Sequence, residues 1–413
     1  MYNSDLNSYY ERLKIAENIL FTEPITVREI LPDVWMLGGY MSDDFFLKAP
    51  SSNVYILRDE DIVYIVDPGK YKAYKKKIFE LVNAYKQKGV SKVRLLITQG
   101  HFDHDINDDV VLGTGLDWEF YLPEEEIPTM NSVNDFLNDI DELSKYEDVF
   151  QTMFPETGFS SIFRYVARLS PDLAKVMLTL LVTVTTGIGN HMGDDAIILK
   201  ADKRIVKNFG SVSLQGWPLG RFFIVFDGAH SPGHIDIYDP INKLILCGDS
   251  TVEINPAFGY SSMNKLIDIT GKFKTMAQEG YIEYAMDSHR SNKYMIELLE
   301  SLDAKALSSI ELIDYAGNSS ECAAFFEFFN IYYKEIKKEV FAAHRKIGRA
   351  TVGEIVNELI KSDNDYVKLK ASFEFPKIPS RLDVLVVQVL KEAGAVPVKV
   401  NNKILIDPVT TNQ

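Results

Sequence analysis

The sequence predicts an α/β fold, and three observations predict it. Over residues 54–98 an apolar strand pattern, a helical stretch and a second apolar strand follow one another and run into a loop rich in histidine and aspartate. Helical patterning then interrupts the strands from about 122 to 192, after which strands return. Beyond about 320 the pattern turns helical again and ends on two short strands. With 413 residues, 46% of them apolar, the chain can bury a substantial core, as two to three domains or as one large α/β domain with an appendage.

Each element has its own signal. Residues 29–70, EILPDVWMLGG and then SNVYILRDEDIVYIVDPG, separate Val, Ile and Tyr runs by acidic turns and read as a β-meander. YKAYKKKIFELVNAYKQKG, 71–89, carries apolar residues at helical spacing and stops at Gly89. VRLLIT resumes the sheet and leads into LLITQGHFDHDIND, 95–108. SVNDFLNDIDELSKYEDVFQTMF and FSSIFRYVARLSPDLAKVMLTLLVTV supply an inserted helical block, and a turn between HIDIY and KLILCG makes a hairpin. Helices near 321–346, 351–362 and 380–393, followed by AVPVKVNNKILID, give the helix, helix, helix, hairpin outline of a winged-helix module. The expected division is a catalytic domain over 1–320, with the insertion at about 122–192, and a winged-helix-like domain over 321–413.

Charge and composition narrow the partners. A net charge of −15 repels nucleic-acid phosphates and anionic membranes. Residues 331–413 carry net +4 against −19 for residues 1–330, but SRLDVLVVQVLKEAG, the third helix of the tail, offers only Arg381 and Lys391 among seven Val and Leu. It reads as packed rather than facing a nucleic acid. The tail is expected to cover the mouth of the active site or to form a homodimer contact, and the partner is expected to be a small molecule. In the most apolar segment, LAKVMLTLLVTVTTGIG, nine residues separate Lys175 from Thr-Thr-Gly, fewer than the roughly 20 that cross a bilayer. The N-terminus lacks a secretion-signal pattern, and the two cysteines, Cys247 and Cys322, suit a reducing compartment, so a cytoplasmic protein is expected.

Donor side chains cluster in loops after strands. GHFDHD gives His101, Asp103 and His104; HSPGHIDIY gives His234 at a Pro-Gly turn; LILCGDS gives Asp249; AMDSHRS gives His289. A single His-x-Asp-His triplet is weak evidence, but four of the seven histidines in such settings are not. The pattern resembles the metallo-β-lactamase superfamily, whose signature runs Thr-His-x-His-x-Asp-His, Pro-Gly-His, Gly-Asp and a final His at the strand ends of an αββα sandwich. The resemblance covers roughly residues 25–310 without the insertion and includes SNVYIL and YIVDPG. It implies that His101 and His234 serve one metal, that Asp103, His104 and His289 serve a second, and that Asp249 bridges them. It also implies that Asp67 orients a ligand loop and that Asn53 belongs to the neighbouring strand.

One position departs from the signature, because Gln99 stands where the first histidine is expected. A carboxamide oxygen is a weaker donor than imidazole, so the first site would hold Gln99 or water with His101, His234 and Asp249. Such a set suits iron or manganese as well as zinc. His230 is expected beside the ligands or near substrate, His191 in a loop or facing the cleft, His344 on the surface, and Cys247 in the core. Two divalent ions would activate a shared water and polarise a carbonyl, with Asp103 or its water delivering a proton to the leaving group. The expected activity is hydrolysis of a small ester, thioester, lactone or amide. Phe154, Phe159, Phe163, Tyr165, Met177 and Leu180 would make an apolar lid favouring a hydrophobic acyl or aromatic substrate. Non-heme di-iron redox chemistry on the same fold and nucleic-acid processing are the alternatives.

Overall fold

The computed structural model describes residues 25–39, 51–130, 132–149, 160–170, 172–177, 179, 192–252, 255–289, 316–372, 382–401 and 403–409. Seven strands form the first sheet in sequence order: β1 (Val27–Leu31), β2 (Val34–Leu37), β3 (Val54–Asp59), β4 (Ile62–Val66), β5 (Lys92–Leu96), β6 (Asp117–Pro123) and β7 (Ile197–Leu199). β1 to β4 are an antiparallel meander, as the alternating sequence predicts, and β4 to β7 are parallel. α1 (Lys72–Gln87) makes the crossover from β4 to β5. The stretch after β5 holds α2 (Phe102–Asp105) and a 3₁₀ helix (Asp108–Thr114). The helical insertion, with α3 (Ser132–Leu143) and α4 (Ser160–Leu169), lies between the parallel neighbours β6 and β7.

The second sheet runs β8 (Ile205–Phe209), β9 (Val212–Leu219), β10 (Phe222–Phe226), β11 (Ile235–Asp239), β12 (Leu244–Leu246), β13 (Tyr284–Met286) and β14 (Ala316–Gly317). β11 and β12 form the expected hairpin. β12 and β13 are parallel, joined through α5 (Met263–Gln278), a helix not anticipated from the sequence although Met263, Leu266, Ile269, Phe273 and Met276 recur at helical spacing.

Strand alternation sorts side chains into three layers. Tyr55, Leu57, Tyr64 and Val66 face Ile224, Ile237, Leu246 and Met286 between the sheets. Ile56, Ile65 and Leu95 face outward onto Ile78 and Val82 of α1. On the far side, Phe223, Val225, Tyr238 and Ile245 meet Leu266, Phe273 and Met276 of α5. The result is a helix, sheet, sheet, helix sandwich.

The C-terminal segment joins that outer helical layer. α6 (Ser319–Ile347) lies along α5 with Phe326, Phe329 and Tyr333 buried. α7 (Val352–Leu359) opens on a Thr351/Glu354 capping box, α8 (Asp365–Ser372) is a further unanticipated turn of helix, and α9 (Leu382–Glu392) precedes the hairpin β15 (Pro397–Val400) and β16 (Lys403–Ile406). All nine residues of Leu382–Leu390 are buried, so α9 packs, as its Val and Leu content predicts. Leu266 of α5, Phe326 of α6, Ile355 of α7 and Val386 of α9 belong to one continuous apolar cluster. His344, expected at the surface, is instead 1% exposed with Nε2 3.2 Å from the Ile406 carbonyl. Its neighbours Arg345 and Lys346 are exposed, and their charge misleads about the opposite helix face. Cys247 and Cys322 are buried and form no disulfide. Among the described residues no helix is long and apolar enough to cross a membrane.

Asp108 ties the 3₁₀ helix to the end of the insertion, its Oδ2 accepting the Met192 N–H at 2.6 Å. Burial pushes its carboxyl up to about 7. The folded chain therefore holds a proton that the unfolded chain releases near pH 4, and stability falls as pH rises from about 4 to 7. Asp108→Asn should flatten this part of the stability profile, measured by urea unfolding at intervals between pH 4 and 8. An unchanged slope would contradict the assignment.

Candidate metal centre

Every expected donor lies where a strand meets a loop at one edge of the sandwich. Asp67 ends β4 with a left-handed φ of 50°, which aspartate tolerates. Its Oδ1 accepts the Thr98 N–H at 2.7 Å, and its Oδ2 accepts the Thr98 hydroxyl at 2.7 Å and faces His104 Nδ1 at 2.9 Å. This fixes His104 with Nε2 pointing inward. Asn53 joins the first sheet to the loop of His289: its Nδ2 donates to the Asp287 carbonyl at 3.1 Å and its backbone N–H to that of Ser288. Gly248, φ 47°, precedes Asp249, and a Cβ there would stand 2.4 Å from His234 Nε2, so only glycine lets the two loops close.

Glu126, fully buried after β6, braces two donor loops at once. Oε1 accepts the Gly100 N–H at 2.7 Å, while Oε2 accepts the Ser231 hydroxyl at 2.8 Å and the Gly233 N–H at 2.7 Å. Gly233 is required for this approach, since a Cβ would lie 2.4 Å from the Glu126 nitrogen.

Among the described residues three groups of buried donors result, the ligand atoms of each within 4.8 Å of one another: His101, His230 and Asp249; Asp103, His104 and His289; and, behind the first, Asp227, His234 and Asp236. The first two meet at Asp249. Its Oδ2 is 3.3 Å from His230 Nε2 and 3.5 Å from His104 Nε2, and its Oδ1 is 3.5 Å from His289 Nε2. Asp103 Oδ2 lies 3.2 Å from His289 Nε2. His101 Nδ1 and His230 Nε2 are 3.1 Å apart, so a proton or a cation must separate their lone pairs.

Electrostatics divides the first two groups. Burial, reinforced by His230, pulls His101 well below the ordinary imidazole range, and burial pulls His230 down to about 4, so both are neutral donors. Burial also opposes charge on His104 and His289, but the carboxylates of Asp249 and Asp103, with Asp67 for His104, outweigh it and raise both. The same imidazoles hold Asp249 well below the usual carboxylate range against its burial. Lys70 stands at the Asp103 side with Nζ 5.0 Å from the Phe102 ring centre, and burial lowers it to about 8.

The donor set fits divalent metal. Imidazole nitrogens and carboxylate oxygens converge, and N/O sets of this kind suit zinc, iron or manganese. Gln99 is fully buried with Nε2 2.6 Å from His104 Nε2 and 2.5 Å from Asp249 Oδ2, while its Oε1 has no hydrogen-bond partner.

His230 and His234 exchange the places the sequence gave them. His234 does not join His101. Its Nδ1 faces both Asp227 carboxylate oxygens at 2.9 Å, and its Nε2 accepts the Asp249 backbone N–H at 2.9 Å, so both nitrogens are occupied in holding the Asp249 loop. In GAHSPGH either histidine flanks the Pro-Gly turn, and only the tertiary path decides between them. His191 lies outside the described residues, as do the side chains of Phe154, Phe159, Phe163 and Leu180. Tyr165 is 64% exposed and Met177 packs on the C-terminal cluster. Among the described residues, aromatic surface at the centre comes from Phe258, tilted over His101 with ring centres 4.2 Å apart, and from Tyr260, whose hydroxyl is 2.8 Å from His101 Nε2. Sequence reasoning missed these two, along with Glu126, Asp227 and Asn255. The "NPAFGYS" stretch lacks titratable signals to mark it.

No protein-family model and no curated protein matches the chain. Among solved structures it is similar to a β-lactamase domain protein from Burkholderia ambifaria, TM-score 0.55 and 13% identity, covering 94% of this chain and 95% of that one. It is also similar to a stereoselective inverting sec-alkylsulfatase from Pseudomonas sp., TM-score 0.50 and 12% identity, covering 89% of this chain and half the length of the sulfatase. The fold is the metallo-β-lactamase fold.

Glu126→Ala would leave the Gly100 and Gly233 N–H groups and the Ser231 hydroxyl buried without their acceptor, at a cost of roughly 3–5 kcal/mol. Glu126→Gln should lose less but still turn an NH₂ toward donors. Calorimetric unfolding should rank wild type above Gln above Ala, and equal midpoints would refute the brace.

Proposed function

We propose that the protein is a metal-dependent hydrolase holding two divalent ions, one on His101, His230 and Asp249 and one on Asp103, His104, His289 and Asp249. The observation that carries this is Asp249, whose two oxygens face both groups of buried imidazoles. When bound, such ions supply Lewis-acid polarisation of the scissile group and an acidified water.

The chain's own residues do the rest. Asp67 holds His104, Glu126 keeps the loops of His101 and His230 together, and Asp227 with His234 anchors the Asp249 backbone. We assign delivery of a proton to the leaving group to Asp103, an assignment supported by its being the more exposed of the two donor carboxylates at 8%. Phe258 and Tyr260, parallel with ring centres 5.3 Å apart, form a half-buried aromatic wall beside His101. That wall supports a substrate with an apolar acyl or aromatic part, such as an ester or thioester. It replaces the insertion's apolar residues as the basis for this expectation.

The test is metal analysis of the isolated protein together with turnover of aryl esters, acyl thioesters, lactones and an alkyl sulfate, the last because a fold neighbour is described as a sec-alkylsulfatase. Chelation and Asp249→Ala should each reduce turnover by roughly 100-fold or more, Asp249→Ala with loss of both ions. Activity indifferent to both would refute hydrolysis at this centre. Gln99, in place of a third imidazole, favours one competing reading, a di-iron redox centre. Iron-loaded protein with an oxygen-dependent optical change and no esterase activity would select it.

Gln99→His should raise zinc affinity roughly tenfold, as expected for exchanging a carboxamide for an imidazole donor. Competition titration with a chromophoric chelator measures this. Unchanged affinity and metal preference would put Gln99 outside the coordination shell.

A further inference from the structure

We propose that Asn255 is a positioning residue that fixes the tautomer of His230, turning its Nε2 lone pair toward the metal centre, and that Tyr333 on the C-terminal helix α6 holds Asn255 in place. The proposal rests on the metal-centre reading above.

The orientation of the Asn255 amide follows from a group that cannot donate. The Asp249 carbonyl lies 2.6 Å from one end of the carboxamide, so that end must be the NH₂. The other end is then the oxygen, and it faces His230 Nδ1 at 2.5 Å. An oxygen acceptor requires a proton on Nδ1, which leaves Nε2 unprotonated, 3.1 Å from His101 Nδ1 and 3.3 Å from Asp249 Oδ2. Without Asn255 the balance reverses. The Asp249 carboxylate would draw the proton to Nε2, the tautomer that cannot ligate inward. Asn255 is fully buried and His230 1% exposed, so bulk water does not take over the role.

Tyr333 reaches this loop from far along the chain. Its hydroxyl lies 3.0 Å from the Ser250 carbonyl, 3.2 Å from the Val252 carbonyl and 3.3 Å from Asn255 Nδ2. It can donate to a carbonyl while accepting from the amide, which ties Ser250 and Val252 to Asn255. Through this contact the C-terminal segment shapes the centre without contributing a ligand.

The test uses the full chain labelled with ¹⁵N-histidine, the His230 signals being assigned by their loss in His230→Gln. Metal-free wild type should show protonated Nδ1 and bare Nε2 on His230. Asn255→Leu should move the proton to Nε2 and weaken one of the two sites by roughly 10- to 100-fold in zinc titration, leaving the other unchanged. Asn255→Asp keeps an acceptor at Nδ1, so it should retain the tautomer while lowering the unfolding midpoint, because a carboxylate now faces the Asp249 carbonyl. Tyr333→Phe should give a mixture of tautomers and a several-fold weaker site. If Asn255→Leu does not fold, Asn255→Asp and Tyr333→Phe carry the test. Protonated Nε2 in the wild type, or a tautomer and affinities unmoved in Asn255→Leu and Tyr333→Phe, would overturn the proposal. Wild type that shows the Nδ1–H tautomer yet takes up no zinc or iron would support the tautomer assignment and sink the metal reading instead.

Discussion

A single buried carboxylate organises this end of the molecule. Asp249 is 4% exposed, and its side chain is approached by Gln99, His104, His230, Ser288 and His289, which come from three separate loops. A carboxylate at such depth without partners would cost several kcal/mol, so the loops have to converge or the charge cannot be buried. Convergence in turn constrains the backbone. Gly248 admits His234, Gly233 admits Glu126, and the left-handed Asp67 turns its carboxylate back onto Thr98 and His104. The two sheets provide a rigid edge from which these loops start, and the tolerances are tight because each side chain serves more than one loop.

The sheets could be read from the sequence because burial on alternate faces imposes a period of two. SNVYILRDEDIVYIV and the hairpin from HIDIY to KLILCG carry that period in short runs bounded by turn residues, and the structure has strands there. α5 escaped for the opposite reason. Thr270 and Gly271 interrupt its middle, and its apolar stripe is diluted by lysines on the solvent side. His344 escaped because neighbouring charges describe one face of a helix while the histidine sits on the other. In each case the local composition reports the exposed side, and burial is decided by what packs across from it.

The centre was readable in part for a related reason. Asp249 and His289 each sit at a strand's end in a short sequence with no rival donor of the same type. His230 and His234 are rivals, four residues apart on either side of a Pro-Gly turn. Choosing between them requires knowing that Asp227, seven residues before His234, captures it and that Asn255, 25 residues after His230, captures that one. Neither partner is marked by spacing. Donor residues can be found by type, whereas the hydrogen-bond partners that aim them are ordinary Asn, Glu and Tyr residues brought in by tertiary packing.

Those partners also change how the C-terminal segment should be understood. α6 lies on α5 within a continuous apolar cluster, and Gln388 and Lys391 of α9 reach the Gly259 carbonyl between Phe258 and Tyr260. The loop that supplies Asn255 and the aromatic wall is therefore held from behind by the tail and from the insertion side by Asp139, which accepts the Gly259 N–H. Gln99 fits the same logic of shared support. Its amide donates toward Asp249 and leaves Oε1 buried without a partner, an arrangement that an abandoned site would have no reason to keep under six intact donors. A carboxamide offers a donor and an acceptor at nearly the same volume. Gln99 can thus accompany the carboxylate in the centre's present form and still present an oxygen where the loop path allows, which an apolar replacement could not do.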